Sequence, residues 1–209
     1  MNINDAQLDY EDRRFGRSRR GRRMNRFERK IATLVLSRLP SNSLVIDIPC
    51  GLGRFSDIII QRGHQYVGID LNFGNARYTA KRLDISLPAI QASILELPLA
   101  DNSADFIFSI RMFHHFTPKQ IERAFQEISR VAPQSLITFY NRWTWRVQRR
   151  RFSLRIRLRE WRGGESWDEK TYSIHEIERL AQKGGLRIIE KIPSSGLLTA
   201  NQFLWLERI

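Results

Sequence analysis

The sequence lacks the features of disulfide-bonded, secreted and membrane-spanning proteins. It has 209 residues with one cysteine, Cys50, which excludes an internal disulfide framework and any multi-cysteine zinc site. No apolar run approaches the ~20 residues that cross a bilayer, and the N-terminal residues lack the apolar core of a secretory signal. Lysine is also scarce, with 6 residues against 29 arginines. We therefore expect a cytosolic protein without structural disulfides.

The positive charge is concentrated in two segments. The formal net charge is +13, but residues 13–30 and 142–162 alone carry a net +17, which leaves −4 for the remainder. Both segments are rich in arginine, which pairs in bidentate fashion with phosphate or carboxylate. We therefore predict a mildly acidic domain with two basic appendages: an arm at residues 1–23, and a cap inserted at about 141–170 in a domain of residues 24–209.

Short apolar runs alternate with segments of helical periodicity along the chain. The predicted strands are 43–48, 64–70, 89–92, 105–110, 135–140, 186–191 and 202–207, and the helices are 26–39, 54–61, 73–83, 118–131 and 174–183. This alternation predicts an α/β fold, a doubly wound, mostly parallel seven-stranded sheet with helices on both faces. The last two strands are joined too closely for a parallel crossover, so the last strand should be antiparallel.

A cofactor site is predicted where the first two strands end. Gly51 and Gly53 follow the first strand, and glycine lets a ligand approach the backbone closely. Asp70 ends the second strand, where its carboxylate can accept both hydroxyls of a ribose. A dinucleotide site would require a third glycine where this chain has Ser56, so that cofactor class fits less well.

Several stretches resemble the class I S-adenosylmethionine-dependent methyltransferases, in particular the small bacterial type that includes the quinone methyltransferases. They are LVIDIPCGLGRF (44–55), YVGIDLN (66–72), LELPLADNSADFIFSIRMFHHF (95–116), QEISRVAP (126–133) and TYSIHEIERLAQKGGLRIIE (171–190). The resemblance implies that S-adenosyl-L-methionine is the cofactor. The expected cofactor-binding residues are Asp47, Pro49, Cys50, Gly51, Gly53, Asp70, Leu71, Ser93, Ile94 and Arg111.

Two positions depart from the family's usual pattern. Pro49 stands at the first glycine of the turn, and its fixed φ is compatible with the start of a turn. Ser93 stands where the family often has an aspartate near the adenine, so its hydroxyl or the backbone of Ile94 would make that contact.

His114 and His115 are the candidate catalytic residues. They follow the fourth strand, on the side where the resemblance places the substrate, and a histidine near neutral pKa can remove a proton from an attacking group. The alternative is that they pack and orient the loop. No third ligand accompanies them, so we predict no metal site.

The cap has an amphipathic pattern of period two over residues 151–159. Arg155 and Arg157 lie on its charged face, opposite the apolar Phe152, Leu154 and Ile156. Three interpretations remain open: a solvated edge, a cover that binds an anionic substrate, or a contact with a membrane surface or nucleic acid.

We conclude that the sequence predicts a methyltransferase acting on a small or lipid-linked anionic acceptor, with Arg155 and Arg157 binding it. The enzyme would be cytoplasmic or peripheral at the inner face of the membrane. The alternatives are an RNA methyltransferase and a non-catalytic protein of the same fold that binds the cofactor or nucleic acid. The sequence does not indicate an oligomeric state.

Overall fold

The computed structural model describes residues 18–83, 90–145, 147–148, 170–193 and 200–209. The helices in these ranges are α1 (Arg19–Leu36), α2 (Ser56–Gln61), α3 (Phe73–Leu83), α4 (Pro118–Val131) and α5 (Ile174–Lys183). The strands are β1 (Leu44–Asp47), β2 (Gln65–Asp70), β3 (Ile90–Gln91), β4 (Phe106–Ser109), β5 (Gln134–Tyr140), β6 (Leu186–Ile192) and β7 (Asn201–Arg208). A single 3-10 turn of this part of the chain spans Phe113–His115.

The strands form one sheet in the order β3-β2-β1-β4-β5-β7-β6. The first five strands in this order pair in parallel, whereas β7 is antiparallel to both β5 and β6. The predicted α/β fold and the reversed last strand are therefore confirmed. Because β1, β2 and β4 run in parallel, their carboxyl ends lie at one edge of the sheet, called the carboxyl edge below.

Apolar side chains cover both faces of the sheet. Val45 and Ile46 are consecutive on β1, so they point to opposite faces, and each belongs to a different buried cluster. Ile46 packs with α4 and α5, whereas Val45 packs with α1 and α2. The predicted helices on both faces are thus confirmed. No helix in the described ranges is long and apolar enough to span a bilayer.

The first helix differs from its predicted extent. It begins at Arg19, and not at residue 26, because Ser18 caps it by accepting a hydrogen bond from the backbone N–H of Gly21 at 2.8 Å. The end of the predicted basic arm is therefore helical. The helix leads into β1 at the opposite edge of the sheet, so its arginine-rich first turns lie at the carboxyl edge. Residues 1–17 and most of the predicted cap, including Arg155 and Arg157, lie outside the described residues.

Candidate active site

The turn after β1 is shaped by two glycines. Gly51 and Gly53 both have positive φ, +54° and +72°, a region that favours glycine. A Cβ at Gly53 would lie 2.5 Å from Cγ2 of Thr79, so only glycine fits there. The backbone N–H of Cys50 donates to the carbonyl of Ile69 at 2.9 Å, which fastens the turn to β2. The turn begins at Pro49, after a cis peptide bond.

Asp70 connects this turn to the end of β2. Its carboxylate accepts hydrogen bonds from the backbone N–H of Gly51 at 2.9 Å and of Asn72 at 2.8 Å, and from Nδ2 of Asn75 at 3.3 Å. A carboxylate offers about four acceptor positions, so capacity for a further donor remains. Oδ1 of Asn75 is buried beside it and accepts no hydrogen bond from the described residues. The predicted pair of Gly51 and Asp70 is therefore brought together at one point.

An open pocket of about 710 Å³ lies against Asp70, Leu71 and Phe73. The Leu71 side chain is 69% exposed and Phe73 is 46% exposed, so both present apolar surface beside the pocket. Apolar surface beside a carboxylate suits a nucleoside, whose base is flat and whose sugar donates hydrogen bonds. The described residues therefore fit an adenosine group.

Three buried titratable groups lie in the turn or next to it. Burial raises the pKa of Asp47 to about 8, although a hydrogen bond from the hydroxyl of Tyr66 at 3.3 Å acts in the opposite direction. Burial and the Asp47 carboxylate also raise the pKa of Tyr66. The pKa of the Cys50 thiol is likewise raised by burial. Cys50 therefore packs as a neutral thiol, which disfavours a nucleophilic role.

The loop after β3 carries Ser93 and Ile94, the two residues that were expected to contact the adenine. Oγ of Ser93 accepts a hydrogen bond from the backbone N–H of Leu95 at 3.2 Å, so the serine shapes a local turn. Ile94 is buried in the core. Since Asp70 pairs with Gln91 across β2 and β3, this loop begins beside the pocket.

The two histidines differ in their surroundings. His114 is buried and stacks on the ring of Tyr140, with centroids 4.1 Å apart and planes at 4°. His115 is exposed. Their backbone carbonyls accept hydrogen bonds from Lys170, whose N–H lies 2.7 Å from the carbonyl oxygen of His114. The end of the predicted cap thus rests on this 3-10 turn.

Arg111 follows β4 and forms an ion pair with a residue that the sequence did not single out. Its Nη2 lies 2.6 Å from Oε1 of Glu28 on α1, and Arg54 pairs with Oε2 at 2.7 Å. Glu28 is the only acid of residues 13–30. That isolation within a basic segment was the one signal in the sequence that marked it.

Residues 46–136 match the protein family described as a methyltransferase domain. No curated protein sequence matches the chain significantly. Solved structures are similar in fold. The magnesium protoporphyrin IX methyltransferase of Synechocystis PCC 6803 with bound SAH has a TM-score of 0.71 at 13% identity, covering 99% of this chain and 96% of that chain.

Two further structures extend the comparison. A SAM-dependent methyltransferase of Methanosarcina mazei has a TM-score of 0.63 at 17% identity, covering 84% of this chain and 97% of that chain. A chain of the complex between the Haloferax volcanii Trm112 methyltransferase activator and the putative methyltransferase has a TM-score of 0.64 at 14% identity, covering 99% and 97%. At such identities the likeness shows the fold alone. This chain therefore contains a methyltransferase domain, and its strand order is that of the class I S-adenosylmethionine-dependent methyltransferase fold.

Proposed function

We propose that this methyltransferase acts on a small or lipid-linked acceptor that carries negative charge, and that its cofactor binds at Asp70. The observation that carries the site is the contact between the Gly51 N–H and the carboxylate of Asp70, which also lines an open pocket. S-adenosylmethionine supplies an activated methyl group on a sulfonium. Every other contribution comes from residues of the chain.

In this proposal, different residues of the carboxyl edge bind different parts of the cofactor. Asp70 would accept hydrogen bonds from the ribose hydroxyls, with Oδ1 of Asn75 as a neighbouring acceptor. Gly51 and Gly53 leave the turn without side chains, so that the methionine part can approach the backbone. Leu71 would pack against the adenine. Ser93, Ile94 and Arg111 remain proposed contacts at the rim.

The exposed His115 suits the role of general base better than the buried His114. An attacking hydroxyl or amine must lose a proton as the methyl group arrives, and an imidazole within hydrogen-bond reach can accept it. His114 is held between Tyr140 and His115 by its ring contacts. We therefore assign His114 to orienting the turn and His115 to accepting the proton.

The charge near the site supports an anionic acceptor. Five arginines of the first turns of α1 are exposed at the carboxyl edge: Arg19, Arg20, Arg22, Arg23 and Arg26. Arg155 and Arg157, which lie outside the described residues, stay the proposed acceptor-binding residues of the cap. A lipid-linked acceptor would place the enzyme at the inner face of a membrane.

Isothermal titration with S-adenosylhomocysteine tests the assigned site. Asp70→Ala should weaken binding roughly 10-fold to 100-fold, the effect of losing hydrogen bonds to a charged group. Asp105→Ala is the matched control, because that carboxylate also accepts a backbone N–H, from Leu44 at 2.7 Å, but at the opposite edge of the sheet. Its affinity should stay at the wild-type value.

Two outcomes would contradict the proposal. If the wild-type protein does not bind S-adenosylhomocysteine, the proposal that this chain transfers a methyl group is wrong. If the wild-type protein binds and Asp70→Ala binds equally well, the cofactor lies elsewhere on the molecule.

A further inference from the structure

A buried carboxylate of the N-terminal helix connects three separate parts of the carboxyl edge. Glu28 is 1% exposed. Its two oxygens accept hydrogen bonds from Nη1 of Arg54 at 2.7 Å, from Nη2 and Nε of Arg111 at 2.6 and 3.1 Å, and from Nδ2 of Asn201 at 3.0 Å. Burial alone would raise the pKa of Glu28, but the charges of Arg111 and Arg54 hold it below its usual value. The Glu28 carboxylate is therefore ionised, and it binds side chains from three parts of the chain.

The two arginines come from the two sides of the proposed site. Arg54 directly follows Gly53, and its carbonyl accepts a hydrogen bond from Nη1 of Arg29 at 2.7 Å, so α1 holds both its side chain and its backbone. Arg111 follows β4 with a φ of +64°. Its backbone N–H donates to Oγ1 of Thr138 at 2.7 Å, and the chain then enters the turn that carries the histidines.

The ion pairs of Glu28 are better explained by a role in positioning side chains than by a contribution to stability. Replacing a buried ion pair by apolar residues of similar volume is often neutral or stabilising, because desolvation of the charges offsets their attraction. A carboxylate between two guanidinium groups does, however, fix the directions of both arginines. Arg111 Nη2 also lies 2.9 Å from Sδ of Met24, one turn earlier on α1, so the helix holds this side chain at two points.

We propose that Glu28 is a positioning residue, which holds the cofactor turn and the histidine loop at a fixed separation through Arg54 and Arg111. This inference rests on the proposed function, because it takes those two segments as the cofactor and acceptor sides of one site. It assigns to α1 a part in catalysis beyond packing.

Glu28→Gln tests this role. The amide keeps the volume and one acceptor, but it cannot pair with two cations. We expect the affinity for S-adenosylhomocysteine, measured by titration calorimetry, to fall at least 10-fold, together with a lower Tm. Arg54→Gln should weaken binding in the same direction, and the double variant should lose less than the combined single effects, because both changes break one contact.

Glu127→Gln is the matched control. Glu127 is also a buried carboxylate with two arginine partners, Arg123 and Arg130, but it lies near the far end of α4 and accepts the N–H of Leu97. Its loss should lower the Tm and leave the affinity within about 2-fold, a separation that a merely structural role of Glu28 would not produce.

The outcomes are distinguishable from failure of the proposed site. If Asp70→Ala weakens binding but Glu28→Gln and Glu127→Gln retain equal affinities, the positioning role is wrong and the site stands. If Glu28→Gln does not fold, Arg54→Gln takes its place, since it leaves Glu28 paired with Arg111 and Asn201 and Arg54 is not itself a proposed cofactor contact. Wild-type affinity in that variant would overturn the inference equally.

Discussion

Asp47 has a buried carboxyl group directly before the turn that is proposed to bind the cofactor. Its pKa rises from 3.8 to about 8 because the side chain is buried at the end of β1, where water cannot stabilise its charge. The folded protein therefore holds a proton that the unfolded chain releases. A group of this kind makes the folded state less stable as the pH rises between its two pKa values.

Asp47→Asn should therefore become more stabilising, relative to the wild type, as the pH increases. The asparagine keeps an oxygen for the hydroxyl of Tyr66 but cannot ionise. Between about pH 4 and pH 8 the wild-type protein loses stability with a slope of up to about 1.4 kcal/mol per pH unit from this group, and the variant does not. Thermal unfolding at about pH 5 and pH 8 measures the difference in Tm between the two proteins.

Glu207→Gln provides the control of opposite sign. Hydrogen bonds from Arg187 lower the pKa of Glu207, so its contribution to stability is complete above its ordinary pKa and is lost only at lower pH. The difference in Tm between this variant and the wild type should stay constant from pH 5 to pH 8. A constant difference for Asp47→Asn as well would show that Asp47 is ionised in the folded protein.

The sequence predicts a contact between two residues well when both residues lie at the ends of neighbouring parallel strands. Gly51 and Asp70 lie 19 positions apart, at the ends of consecutive strands, and the parallel sheet brings them together. Glu28 had no comparable signal, because its partners Arg54, Arg111 and Asn201 lie 26, 83 and 173 positions away. Contacts that depend on how a helix packs over the edge of a sheet cannot be predicted from the spacing of residues along the sequence.

At the scale of elements, helix starts with a complete capping box were predicted correctly. Thr117 and Gln120 at the start of α4, and Ser173 and Glu176 at the start of α5, form the reciprocal hydrogen bonds of that motif. The start of α1 was missed because Ser18 has no acid three residues on, and the arginines around it suggested a solvated arm. Helices defined by tertiary packing give weaker local signals than helices with caps.

Thr117→Ala should lower the free energy of unfolding by about 1 kcal/mol, the usual effect of losing an N-cap. The threonine hydroxyl accepts from the N–H of Gln120, and that donor would lose its partner at the start of α4. Urea denaturation measures the change.

Ser37→Ala controls for the loss of a hydroxyl at a helix end. Oγ of Ser37 donates to the carbonyl of Leu34 on the exposed surface and caps no N-terminus, so the change should stay within about 0.5 kcal/mol. Equal effects of the two substitutions would show that the box at Thr117 adds no stability.

At the scale of the whole molecule, basic and aromatic side chains share the carboxyl edge. Asn201 at the start of β7 contacts Glu28 of α1, and it pairs with Tyr140 at the end of β5. Trp143 follows three residues later and is 70% exposed. The arginines of α1 and this tryptophan therefore lie at the same edge of the sheet. Arginine with exposed tryptophan is typical of surfaces that bind anionic lipid headgroups.

The charge surface predicts salt-sensitive binding to vesicles of phosphatidylcholine and phosphatidylglycerol, measured by co-sedimentation. Reversal at two exposed positions of α1, Arg20→Glu with Arg23→Glu, should weaken binding at least ~10-fold, since each basic residue contributes about 1 kcal/mol at an anionic membrane. Trp143→Ala should also weaken it.

The matched double variant Arg62→Glu with Lys183→Glu reverses two charges at the opposite edge of the sheet and should bind like the wild type. Equal losses in the two double variants would reduce the effect to net charge. Binding to RNA but not to these vesicles at the same salt concentration would instead support the RNA methyltransferase alternative, because arginine contacts with nucleic-acid phosphates also weaken as salt increases.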